Sequence, residues 1–301
     1  MPEITKRTYS EVNSDSARIE WARVIKDYTQ NRENIEFSDT WSTVERAREY
    51  WSTAKTLTDF YCNILADIPV FPGSRVLDIG GGPGNLAIPI ACLGGEVVVV
   101  EPSKGMVNVL CENLKEHIDT RITVIPKRWE DVSDEEISPP FDIVLASYSL
   151  GMLDIKEAVL KMCRASRSRV YLVWSSGITA WESIAYYLWP RIHNTQYLSL
   201  PKSNLLYDVL YEMNIYPNVI SRKVLFEEWF ATIGQAEDSI CKRSMATASE
   251  QKSIVRDYVN HEIRPKCDGW VLGRYVTRTI FWWDITKQGK NEILQGNKGE
   301  Q

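Results

Sequence analysis

Between Val76 and Leu86 the chain reads VLDIGGGPGNL, four glycines in five positions with almost no side chain to shield the backbone. Glycines between a buried strand and a helix let a ligand approach bare amides at the helix N-terminus, so Gly80, Gly81, Gly82 and Gly84 read as a ligand loop. A plain tight turn would not require three adjacent glycines, because each loses extra conformational entropy on folding. Two carboxylates flank the loop. Asp78 lies in the strand before it, and Glu101 ends the next apolar run, VVVVE, where a carboxylate is a bidentate acceptor for the vicinal diol of a ribose. Gly82-x-Gly84-x-x-Ala87 also fits the relaxed dinucleotide pattern, so the glycines and Glu101 alone leave a nicotinamide cofactor open.

The elements that must hold this loop are legible as an alternation of short apolar runs with helical patterns. Strands are expected at 75–79, 97–101, 122–125, 141–146 and 170–174, with helices at 85–93, 103–117 and 155–165 between them. Continuous Val/Ile/Leu runs suit strands covered on both faces, and the alternation implies parallel crossovers. The fold class is therefore α/β, a doubly wound, mostly parallel Rossmann-like sheet. Two helices precede it, at about 16–29 and 42–68, the second with Val44, Ala47, Trp51, Ala54, Leu57, Tyr61 and Leu65 at steps of three or four. After Trp174 the repeat breaks into an aromatic-rich insertion holding Trp181, Tyr186, Tyr187, Trp189 and Tyr197. A helix at 203–213, a strand at 218–225, a polar helical region at 227–264 and a long run at 270–285 follow. That last run reads as an edge or antiparallel closing strand.

With the elements in order, VLDIGGGPGNLAIPIA, VVVVEPSKGMV and FDIVLASYSL together resemble the successive motifs of class I S-adenosylmethionine-dependent methyltransferases. Asp78, Gly80, Gly82 and Gly84 match the D-x-G-x-G-x-G of that family, and the dinucleotide fingerprint does not ask for the aspartate. The resemblance spans about 44–175. It implies S-adenosylmethionine as cofactor and S-adenosylhomocysteine as product, with the Gly80–Gly84 backbone under the methionyl and ribose portions and Glu101 on both ribose hydroxyls. Pro102 and Met106 would flank the adenine, although Met106 equally suits the core of the following helix. In the stretch Lys127-Arg128-Trp129-Glu130-Asp131 the sequence departs from many relatives, so the adenine contact falls to the Trp129 backbone, Glu130 or Asp131. Ser147 and Tyr148 end the fourth motif's strand near the sulfonium. Tyr50 and Trp51 resemble an aromatic pair that lids the cofactor, and they also read as helix core.

Methyl transfer from a sulfonium is an in-line displacement, so proximity and exclusion of water carry most of it, and a base is needed chiefly for a hydroxyl acceptor. Tyr148 and His193 are the candidates for that base. A small-molecule O- or N-nucleophile is the expected acceptor. The fourth motif lacks the Asn/Asp-Pro-Pro-Tyr of enzymes methylating exocyclic amines, and no Pro-Cys dipeptide supplies a cytosine-C5 nucleophile. The competing readings are a non-catalytic module that binds S-adenosylmethionine as a sensor or partner subunit, and a nicotinamide dehydrogenase.

A chain of 301 residues, 44% hydrophobic and with a formal net charge of −5, can bury a sizeable core and has no general attraction for nucleic acid. No apolar run approaches a membrane span and the N-terminus has no apolar signal core, so the expectation is a cytoplasmic protein that binds no membrane. Six cysteines without a C-x-x-C pair and three unclustered histidines point to no metal. The organisation expected is an N-terminal helical lid (1–68), a cofactor-binding core (69–175), the aromatic insertion with completion of the sheet (176–286) and a loose tail (287–301). Trp181, Tyr186, Tyr187, Trp189, Tyr197, Trp270, Trp282 and Trp283 suit either a capped pocket or a homodimer contact in the C-terminal half.

Overall fold

The computed structural model describes residues 15–31 and 42–286. The N-terminal residues before 15 and the tail from 287, both expected to be loose, lie outside the described residues.

Three helices come first: α1 (Ser16–Asn31), α2 (Val44–Ala54) and α3 (Thr58–Leu65). The single helix expected over 42–68 is thus two. Ser52 and Thr56 are hydroxyl residues that bond local carbonyls, Ser52 Oγ donating to Glu49 O and Thr56 Oγ1 to Thr53 O. Such bonds compete with the helical ladder, and Leu57 leaves it at φ −91°, ψ 34°. The break has a consequence for the site. In one straight helix residues 50 and 61 would stand about 16 Å apart along the axis, whereas the two helices bring the Tyr50 and Tyr61 hydroxyls to 3.1 Å.

The core then alternates as the sequence predicts: β1 (Arg75–Ile79), α4 (Ala87–Cys92), β2 (Glu96–Val100), α5 (Lys104–Leu114), β3 (Arg121–Ile125), a 3-10 turn (Trp129–Asp131), α6 (Asp134–Ile137), β4 (Phe141–Ser147), α7 (Ile155–Ala165) and β5 (Ser166–Ser176). The chain continues with α8 (Ala180–His193), α9 (Ser203–Glu212), β6 (Asn218–Phe230), α10 (Ile233–Arg243), α11 (Ser249–Glu262), β7 (Arg264–Lys266) and β8 (Gly269–Asp284). The aromatic insertion is therefore mainly a helix, started by a Thr179–Glu182 capping box. Its four aromatic residues, Trp181, Tyr186, Tyr187 and Trp189, concealed the helical pattern because they fall on more than one face.

The described strands form one sheet in the order β3-β2-β1-β4-β5-β8-β6, with β7 beside β8. β1 to β5 are parallel. β8 runs antiparallel between β5 and β6, so it closes the parallel part, and β6 is the outer strand. Leu77, Ile79 and Val100 face a core shared with α1, α7 and α9, while Val76, Val97 and Val99 face one shared with α3 and α4. Burial on both faces is why these strands read as unbroken apolar runs. A third cluster lies where α8, α10 and α11 cover one face of the β6–β8 ribbon.

Candidate functional site

The loop Gly80–Gly84 leaves β1 at the carboxyl ends of the parallel strands, beside the ends of β2 and β4, the crevice in which open α/β sheets bind ligands. Its glycines do different work. A Cβ on Gly80 would stand 2.3 Å from Ser149 Cβ, and one on Gly84 would stand 2.7 Å from Leu110, so these two are required by packing. Gly82, at φ +56°, would meet nothing within 4 Å. That one position faces open space in a conformation that side-chain-bearing residues rarely adopt.

Glu101 is buried at the end of β2, where Oε2 accepts from Gly82 N at 2.9 Å and Oε1 from Ser103 N at 2.8 Å. Each oxygen keeps a further lone pair for a ligand donor. Burial pushes its pKa up, and the two backbone donors pull it part of the way back. Asp78 is 2% exposed and its Oδ2 has no hydrogen-bond partner among the described residues. Desolvation first, and the Glu101 charge second, raise its pKa to about 7. Two buried carboxylates and an open glycine form a site in want of hydrogen-bond donors and positive charge.

The remaining sequence-predicted residues divide. Tyr50 is brought to the loop: Asn85 Nδ2, directly after Gly84, donates to Tyr50 Oη at 3.1 Å and to Tyr61 Oη at 3.2 Å. This ties α2 and α3 over the loop, and neither Asn85 nor Tyr61 was singled out from sequence. Trp51 and Met106 pack with Ala47 and Val109 between α2 and α5, which makes Met106 core. Pro102 is half-buried after Glu101, and Ser147 is half-buried at the end of β4. Tyr148 follows at φ 54°, its ring stacked 6.0 Å from Phe60 and 6.4 Å from Trp174. Burial drives its hydroxyl pKa up, and that hydroxyl has no hydrogen bond among the described residues.

Others are placed elsewhere. The Trp129 indole is buried against α7, with Nε1 donating to Ala158 O at 3.1 Å and Lys161 Nζ 4.5 Å from its ring, so only its backbone remains for a nucleoside. Glu130 is exposed on the same turn. His193 ends α8, where Nε2 lies 2.8 Å from Ser244 O as donor and the ring packs 4.3 Å from Trp189. None of these His193 contacts belongs to the loop. Among the described residues no group of three His, Cys, Asp or Glu could hold a metal ion, and no helix is long and apolar enough to cross a membrane.

A narrow cleft between α8, α10, α11 and the β6–β8 ribbon is lined among others by Trp181, Phe226, Glu228, Arg243, Tyr258 and Arg274, none of them from the loop. Its Phe226 wall packs edge-on to Phe60, 5.7 Å away, and so joins the cleft to the Phe60–Tyr148 stack. Lys242 of α10 pairs with Glu49 of α2.

Comparison with known proteins agrees with this geometry. A family model described as "Methyltransferase domain" matches residues 77–167, the stretch from β1 into β5. The chain is 36% identical over 109 residues to an uncharacterized protein of Haemophilus influenzae, covering 36% of this chain and 40% of that one. It is 34% identical over 114 residues to a ubiquinone biosynthesis O-methyltransferase of Bradyrhizobium diazoefficiens, covering 38% and 44%. It is 40% identical over 68 residues to a 23S rRNA (uracil(1939)-C(5))-methyltransferase of Halomonas elongata, covering 23% and 13%. The chain thus spans less than half the length of each of these relatives.

Proposed function

We propose that this chain transfers the methyl group of S-adenosylmethionine to a small organic acceptor, leaving S-adenosylhomocysteine. One observation carries the reading: Gly82 opens onto empty space while its N–H holds the buried Glu101, and the buried Asp78 two residues before the loop keeps an Oδ2 without a donor among the described residues. Glu101 would hold the ribose hydroxyls, and Asp78 would balance the cofactor's positive charge. Two buried carboxylates beside a glycine loop repel a pyrophosphate, which speaks against a nicotinamide dinucleotide.

When bound, S-adenosylmethionine supplies an electrophilic methyl on a positively charged sulfur, open to in-line attack by an acceptor lone pair. The protein's share is alignment and exclusion of water, worth up to about 7–11 kcal/mol for well-oriented reactants. Asn85 fixes Tyr50 and Tyr61 over the loop as its cover. Tyr148 stays a neutral hydroxyl because burial raises its pKa, so its role is to orient an acceptor by a hydrogen bond and to offer a ring face rather than to act as base. We assign His193 no part in transfer. The aromatic rings of Phe60, Tyr148 and Phe226 past the strand ends suit a small organic molecule, and the net charge of −5 gives no pull on RNA. A homodimer and the lid role of the N-terminal helices belong to the same reading.

Calorimetric titration with S-adenosylhomocysteine and with NAD tests the cofactor. Heat from the former alone is expected, and heat from NAD alone would end the proposal. Mass-spectrometric screening of metabolites and of RNA for a gain of one methyl then identifies the acceptor, and turnover of none would mark a sensor.

A further inference from the structure

Among the described residues β6 pairs only with β8, so the outer edge of Asn218–Phe230 presents a row of backbone donors and acceptors to its surroundings. The strand is 13 residues long, contains neither proline nor glycine, and pairs with β8 without a register shift. Protected edges are short, kinked by bulges, broken by proline or studded with charge, and of these devices β6 has only charge, in both signs. On the face away from α10 and α11, Leu225 is 44% exposed and its cross-strand neighbour Tyr275 65% exposed.

The order of side chains on this edge is self-complementary. Around Leu225 the strand reads Arg222-Lys223-Val224-Leu225-Phe226-Glu227-Glu228, basic before the centre and acidic after it. We infer that β6 joins two copies of this chain as an antiparallel strand pair about a two-fold axis at Leu225, extending the sheet across the dimer. An isologous contact of this kind repeats every pairing twice. Lys223 then faces Glu227 of the partner subunit, and Leu225 faces Leu225 of the partner subunit. Moving the axis to Val224 or Phe226 would set Lys223 against Leu225 or Trp229, losing the charge match, so the sequence selects one register. Arg222 and Glu228 are engaged inside the protomer, with Asp67 and Arg243 respectively, so the selectivity rests on Lys223 and Glu227. Glu227 also pairs with Lys266, which leaves its second oxygen for the partner.

Sedimentation equilibrium of the full chain at micromolar concentration tests this. The wild type should be a dimer, and K223E or E227K should each weaken it by about tenfold or more, because attraction becomes repulsion at two places. The double variant K223E/E227K restores opposite charges across the axis and should recover most of the loss. A monomeric wild type overturns the inference, and so does a double variant that dissociates as readily as the weaker single one.

Discussion

Buried charge is handled differently at the two sides of the sheet. In the β6–β8 ribbon every buried charge has a partner brought from elsewhere in the chain: Glu228 accepts from Arg243 Nη2 at 2.9 Å, and Arg278 donates to Phe60 O and Asn63 O of α3 and approaches Asp67. Beside the glycine loop no cation among the described residues bears on either carboxylate. Glu101 has two backbone donors, and Asp78 Oδ2 has none among the described residues. Burying a carboxylate without a partner is costly, so a protein retains one where a ligand completes it. The ribbon's charges fasten helices to strands, and the loop's charges are held for a guest.

The sharpest way to break this contrast is pH. The Asp78 pKa lies at about 7 in the folded chain against an ordinary 3.8. Between those values the native state keeps a proton that the unfolded chain has lost, so stability falls as pH rises from about 4 to 7 and is level above. The full difference amounts to about 4 kcal/mol. Urea unfolding of the ligand-free protein from pH 5 to 8 should show that slope, and Asp78→Asn should flatten it. An equal slope in the variant would mean that Asp78 is not the unpartnered group.

Next in size are the glycines. Gly80→Ala forces a Cβ onto Ser149 in a left-handed conformation and should cost about 3 kcal/mol of stability. Gly82→Ala has room and should cost only about 1–2 kcal/mol, while losing affinity for S-adenosylhomocysteine. Similar melting temperatures for both would erase the distinction between packing and ligand glycines. Glu101→Ala should weaken S-adenosylhomocysteine binding by about 1.5–3 kcal/mol, the range for charged hydrogen bonds, as read by calorimetry. On the ribbon side, Arg278→Lys keeps the charge but loses the fork that spans two α3 carbonyls. It should lower stability by about 1 kcal/mol in thermal unfolding, with cofactor affinity changing little.

Local patterning determined the parallel sheet, its order of elements and the glycine loop, because each depends on residues within one strand–turn–helix unit and on apolar runs buried on both faces. It also located Asp78 and Glu101, which stand at strand ends adjoining the loop. It could not locate Asn85 and Tyr61, whose meeting with Tyr50 depends on the break at Lys55–Leu57, nor show that the Trp129 indole turns into the core beneath α7. The placement of β8 between β5 and β6, and of Phe226 against Phe60, joins residues far apart in sequence. Tertiary structure decided these because side-chain neighbours across a sheet are set by strand order and register, which no single segment encodes.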